Sequence, residues 1–261
     1  MKKKNNKILS YLINFSLILI LLFIWEQIVV QFEIPKRILP KPSQIIDYLA
    51  KDFTSGKYAL LTKTLLSFRD ALIGFSISVF LGTLLGIIFH QFKILKTIFS
   101  PFILISQLLP VPAFAPVVAA LLGYGFETKI IIIVLFTIFP VIVTVESTIS
   151  SLSANYFALF SSYNAKKIEV IKKLFLPSIL PDLITTMKIL TTASIVTSII
   201  AELPLTVSGG IGKDIYNSFN NQITTRVWAS LVMLCTVSIL FFKSMLEIEK
   251  TIINKYRYAK E

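Results

Sequence analysis

The chain has 261 residues, of which 55% are hydrophobic and only 15% charged; soluble domains carry about a quarter charged residues, so the surplus apolar surface requires lipid as its solvent. A formal net charge of +12 on such a chain is explained by basic residues beside membrane spans and argues against a nucleic-acid partner. The single cysteine, Cys235, lies inside an apolar run, which excludes a disulfide framework and a cysteine metal site.

Six segments approach the roughly 20 apolar residues that a bilayer crossing needs: 8–30, 71–90, 98–122, 130–149, 182–203 and 227–248. The first follows "MKKKNNK" and resembles a signal peptide, but its apolar run is too long and no small-x-small cleavage site follows. It reads as a retained membrane helix. With the N-terminus inside, the inner loops hold the denser basic set, including Lys2, Lys3, Lys4, Lys7, Lys166, Lys167, Lys172 and Lys173. Lys36, Arg37, Lys41, Lys63, Arg69 and Lys129 fall in outer loops, so both termini are expected on the cytoplasmic side.

After the first span, "LPKPSQIIDYLAKDF" predicts a short interfacial helix with Ser43 as N-cap and Ile45, Ile46 and Leu49 on one face. Glu26 and Glu146 read as boundary residues, and the only histidine, His90, as an interfacial residue at the inner end of span two. The third span carries Pro101, Pro110, Pro112 and Pro116. Each interior proline removes a backbone donor, so this span is expected to be irregular. It should lie within a bundle or line a polar path with Gln107, Pro110 and Pro112.

Span five, "DLITTMKILTTASIVTSIIAELP", places Lys188, Thr191, Ser198 and Glu202 on one helical face, with Thr192 nearby. Ionisable groups inside spans are costly, and by default they mark a path or a buried partner. A translocation role for this face stands beside a simpler one, in which the hydroxyls bond within or between helices. No catalytic constellation is visible. "SGGIGKD" fails the phosphate-loop pattern because Val207 occupies the position of its first glycine, so Gly209, Gly210 and Gly212 read as a tight turn. The chain is therefore expected to be non-enzymatic and to hold neither metal nor nucleotide.

Residues 150–178 are too long for a turn and too short for a domain, and they predict two short helices. The first, 153–163, presents Tyr156, Phe157, Phe160 and Tyr163. Asn164 tolerates a left-handed backbone and is expected to cap the second helix. That helix pairs Glu169 with Lys173 and is expected to end at Pro177 and Pro181. Such a face suits either a soluble protein partner or an anionic lipid surface.

The segment resembles the cytoplasmic loop of permease subunits in binding-protein-dependent ABC importers. Their pattern runs Glu-Ala-Ala, three residues, Gly, nine residues, Ile-x-Leu-Pro. Here Leu174-Phe175-Leu176-Pro177 supplies the ending, Asn164 replaces the glycine, and Ala158, Leu159 and Phe160 depart from Glu-Ala-Ala. "LPKPSQIIDYL", "LLPVPAFAPVVAALLGYGFETKI" and "AELP" followed by "GGIG" are similar to the branch that imports nitrate, sulfonates, taurine and thiamine precursors. The resemblance implies an all-α membrane protein with six transmembrane helices, a type I importer permease fold, and a single domain over 1–261. It also implies a coupling helix between spans four and five that docks on a separate ATPase subunit, the holder of ATP and Mg. Tyr156, Phe157, Ala158, Leu159, Phe160, Tyr163, Asn164, Leu174, Leu176 and Pro177 are the implied contact set. A solute-binding protein outside, a second permease copy, surrounding lipid and a bacterial inner-membrane location complete the implication. The alternative is an ion-gradient secondary transporter, which would carry carboxylates at mid-membrane depth and inverted repeats.

Overall fold

The computed structural model describes residues 2–55, 59–203 and 209–257, with side-chain surroundings described from 12 to 253 except Gln107. The helices are α1 (Lys2–Gln31), α2 (Pro42–Thr54), α3 (Ala59–Gln91), α4 (Lys93–Leu108), α5 (Val111–Leu122) and α6 (Phe126–Ser150). After these come α7 (Ala154–Ser162), α8 (Lys167–Val170), a π turn (Ile171–Phe175), α9 (Leu176–Glu202), α10 (Ile211–Asn220) and α11 (Thr224–Arg257). Five of the helical segments are long and apolar enough to cross a membrane, and α4 with α5 makes a sixth if the pair counts as one crossing. The chain divides into two compact units, one of residues 1–62 and 214–233, the other of residues 63–213 and 234–261.

In the first unit, α1 is an apolar helix exposed over most of its described length, as lipid immersion permits. Its far end is tied down by polar contacts. The Ser43 hydroxyl and backbone N–H donate to the Glu26 carboxylate at 2.8 and 3.1 Å. The cap of α2 is therefore not Ser43: the Lys41 N–H donates to the Gln44 side chain at 3.1 Å, and Pro42 occupies the first turn, where its missing donor costs nothing. Trp25 stacks obliquely on Trp228 at 4.9 Å, and Arg226 grips Asp214 with two hydrogen bonds of 2.7 and 2.9 Å.

The second unit is built on close helix packing. On α3, Gly74, Ser78, Gly82 and Gly86 recur every four residues and face Ile133, Thr137, Val141 and Val145 of α6. A Cβ on Gly82 would stand 2.7 Å from Val141 and 3.1 Å from the Ile138 carbonyl. This is the small-residue stripe by which membrane helices pack, since apolar side chains gain little from leaving lipid. Ser78 and Thr137 bond across it at 2.6 Å. Phe68 and Phe75 of α3 meet Phe241 of α11 edge-on at 5.2 and 5.6 Å.

The third apolar segment is two helices. Its arms, Lys93–Ser106 and Val111–Leu122, meet at 112°. Pro101 and Pro116 sit inside helices, whereas the break falls at Leu109 and Pro110, both extended. A residue before proline is pushed out of the helical region, and Leu109 is such a residue.

Lys167–Glu202 forms one continuous helical run of 36 residues, which at 1.5 Å per residue is about 54 Å long and exceeds a bilayer's apolar thickness. Pro177 and Pro181 do not end the helix before span five. The widened turn before them lets the Leu176 N–H reach back five residues to the Ile171 carbonyl, and Pro177 falls in the first turn of α9. The widened turn thus accommodates Pro177, while Pro181 lies inside α9.

Candidate functional site

At one end of the second unit, α7 is presented on a defined mount. The Ser153 hydroxyl accepts from the Asn155 N–H at 3.3 Å, which caps its start. Asn164 takes φ +48°, its N–H bonds the Ser161 carbonyl at 2.9 Å, and the Ala165 N–H bonds the Phe160 carbonyl at 3.0 Å. This is the helix-ending arrangement in which a left-handed residue closes the last turn. Asn164 thus terminates α7, and the cap of the next helix is Lys166, whose N–H donates to the Glu169 carboxylate at 2.9 Å.

The aromatic residues divide by face. Phe157 and Phe160 are half-buried and pack on the apolar core beside Leu174 and Phe175. Tyr156 and Leu159 are each 51% exposed and Tyr163 78%. Ala158 and Asn164 are also exposed, as is Leu176, while Pro177 is half-buried. Leu159, Phe160, Tyr163, Ala165, Glu169 and Lys173 line a shallow hollow of about 350 Å³, and the expected Lys173–Glu169 pair closes to 3.6 Å.

His90 belongs to the same end. Its ring stacks on Phe157 at 6.3 Å and meets Phe175 edge-on at 5.5 Å. Its Nδ1 lies 3.2 Å from the Ser150 hydroxyl, which donates to Glu146 at 2.7 Å, and Lys96 bonds the same carboxylate at 2.7 Å. Glu146, expected as a boundary residue, and His90 therefore belong to one chain of contacts that seats α7 against α3, α4 and α6.

The polar face of α9 turns into the protein. Thr191, Ser198 and Glu202 are fully buried, Lys188 is half-buried, and Thr192 is exposed. Lys188 donates to Glu249 of α11 at 2.7 and 2.8 Å, Thr191 to the Lys188 carbonyl at 2.7 Å, and Ser198 to the Ser67 carbonyl of α3 at 3.0 Å. Pro110 and Pro112 are exposed; the side chain of Gln107 lies outside the described residues.

At the opposite end of the unit from α7, Glu202 enters an ion cluster that the sequence expectations do not include. The Lys129 ammonium bonds Glu202 and, at 2.6 Å, Asp70. Arg69 holds the other side of Asp70 at 2.7 Å and lies 5.5 Å above the Phe126 ring. The Ser67 hydroxyl donates to both Glu202 oxygens at 2.7 and 2.8 Å, and the Gly212 N–H to Oε2 at 2.7 Å. Lys129 is thus not a loop residue on the surface but a fully buried one in the first turn of α6. The signal available in the sequence is that Asp70, Lys129 and Glu202 all fall at one depth of three spans. Among the described residues no group of three or more His, Cys, Asp or Glu side chains is placed to hold a metal.

A family described as the binding-protein-dependent transport system inner membrane component matches residues 78–251, more than half of the chain. Formylaminopyrimidine transport permease protein ThiX of Halalkalibacterium halodurans is 28% identical, over 90% of this chain and 92% of its own length. The putative aliphatic sulfonates transport permease protein SsuC of Bacillus subtilis is 24% identical, over 90% and 84%. Among solved structures, the inward-facing MetNI methionine ABC transporter matches with a TM-score of 0.62 at 16% identity, covering 76% of this chain and 98% of that one.

Proposed function

Because the chain belongs to the binding-protein-dependent transport inner-membrane-component family, and so is a permease subunit of an ABC importer for small solutes, we propose that α7 is its coupling helix. The observation that carries this is the outward face of Tyr156, Leu159 and Tyr163 on a helix capped at both ends and joined to a rod that runs on to Glu202. An exposed apolar face next to lysines that fix the cytoplasmic side suits a soluble ATPase groove better than lipid, because Phe157 and Phe160 already occupy the lipid-like interior. Glu-Ala-Ala is absent here, so the docking is apolar where the wider family uses a carboxylate.

Two copies of the chain flank the path in this proposal. Pro110, Pro112 and Thr192, exposed on the single chain, face it, and Gln107 belongs to the same stretch. Lys188, Thr191, Ser198 and Glu202 form the wall behind, since their polar atoms are already bonded within the chain. A solute-binding protein delivers cargo on the side away from α7. The cargo belongs to the small polar class that the relatives' names print, formylaminopyrimidine and aliphatic sulfonates among them.

Affinity purification of the tagged chain from its native membrane tests the assignment. It is expected to bring down an ATP-binding-cassette subunit in a two-to-two ratio, and ATP hydrolysis is expected only in that complex. Recovery of the chain alone from gently solubilised membrane, with no ATPase at any salt concentration, would count against it.

A further inference from the structure

We infer that Glu202 is a positioning residue for transport: it fastens the 210–212 turn and the end of α9 to α3 and α6, so that this end of the unit moves as one block when α7 is displaced. The inference rests on the importer reading.

Three independent elements converge on one carboxylate. Ser67 comes from α3, Lys129 from α6, and the Gly212 N–H from the turn that opens α10. The Ile211 N–H bonds the Ser67 hydroxyl at 2.9 Å, so the turn is held twice. The turn is shaped around the carboxylate. A Cβ on Gly210 would overlap the Glu202 carboxyl group, and one on Gly212 would stand 2.6 Å from the Ile199 carbonyl and 2.8 Å from the Glu202 Cβ. Among the described residues, the Arg69 and Lys129 side chains are set against the Asp70 and Glu202 carboxylates.

A buried ion cluster is a poor way to gain stability, because well-packed apolar residues of similar size are often as stable or more so. What the cluster supplies is a fixed geometry among elements far apart in sequence. Motion imposed at α7 reaches Glu202 along the Lys167–Glu202 run. A rod whose far end were loose would dissipate that displacement locally, whereas one locked to α3 and α6 carries it into the rest of the unit.

The test separates positioning from mere stability, using the complete complex of permease, ATPase and binding protein in proteoliposomes. The quantity read is uptake per ATP hydrolysed, on the complex that assembles. E202A/K129M leaves no unpaired buried lysine but removes the carboxylate that ties Gly212 to α3 and α6, and its uptake per ATP is expected to fall about tenfold, within the usual range of coupling energies. E202Q/K129M is also neutral, yet its amide oxygen still accepts from Ser67 and Gly212, and it is expected to stay within about twofold of wild type. Equal behaviour of the two double variants, whether both normal or both deficient, overturns the inference. If E202A/K129M does not assemble, S67A decides, since it removes the Ser67–Glu202 and Ile211–Ser67 ties without unpairing a charge: a lower uptake per ATP supports the role and an unchanged one overturns it. Absence of ATP-driven uptake by the wild-type complex would instead refute the importer reading.

Discussion

Replacing Tyr156, Leu159 and Tyr163 together with serine is expected to abolish ATP-driven uptake and ATPase co-purification while leaving the chain folded in the membrane. The three side chains are half or more exposed and bear no load in the permease core. Anchors of this type at a protein interface are each worth about 1–2 kcal/mol or more when truncated, so their joint loss weakens docking by about a hundredfold or more. Phe157 and Phe160, the residues that sequence pattern singles out equally, are expected to act differently. They pack on the core beside Phe175 and His90, so their replacement by serine costs stability first, about 1–3 kcal/mol for each half-buried aromatic truncated. Size-exclusion profiles in detergent distinguish the two sets: a monodisperse triple variant that no longer binds the ATPase supports the division of faces. A triple variant that retains binding, or one that aggregates as the phenylalanine variants do, contradicts it.

The second large effect is expected from the glycine stripe. Gly→Ala in an exposed helix normally stabilises by about 1 kcal/mol through helix propensity. At Gly82 and Gly86 the sign reverses. The added methyl would stand 2.7 Å from the Cβ of Val141 or Val145, and 3.1 or 3.0 Å from the carbonyl of Ile138 or Ile142. A backbone oxygen cannot rotate aside, and Val→Ala on α6 keeps the offending Cβ, so no single partner change relieves the clash. Overpacking of this kind costs about 1–3 kcal/mol per site, and G82A/G86A is expected to lower the unfolding temperature in detergent by several degrees, with G82L failing to assemble. An unchanged or raised unfolding temperature in G82A would show that α3 and α6 are not held together by this stripe.

The long apolar runs made the spans legible, because burial in lipid requires continuous apolar length. The left-handed backbone at Asn164 was legible, since few residues accept φ +48° and asparagine is one, but it ends α7 and does not cap the helix after it. The end of the rod was not legible. Pro177 and Pro181 read as stops, but the π turn over Ile171–Phe175, which has no sequence signature, admits Pro177 to the first turn of α9, and Pro181 sits inside that helix. The ion cluster escaped for another reason. Lys129 is 59 residues from Asp70 and 73 from Glu202, and periodicity within one helix says nothing about which helix end it meets. That Lys188, Thr191, Ser198 and Glu202 share one face of α9 was legible, but the contacts of that face depend on Ser67 and Glu249, which lie on elements the pattern cannot join.

Coupling at α7 and a fixed Glu202 end both require the chain to work as the membrane component of an ATP-driven importer. The most direct measurement is solute accumulation in proteoliposomes holding this chain with candidate ATPase and solute-binding partners. Accumulation that requires ATP, the ATPase and the binding protein together is the predicted result. Accumulation driven by an ion gradient through this chain alone, indifferent to ATP, would contradict it.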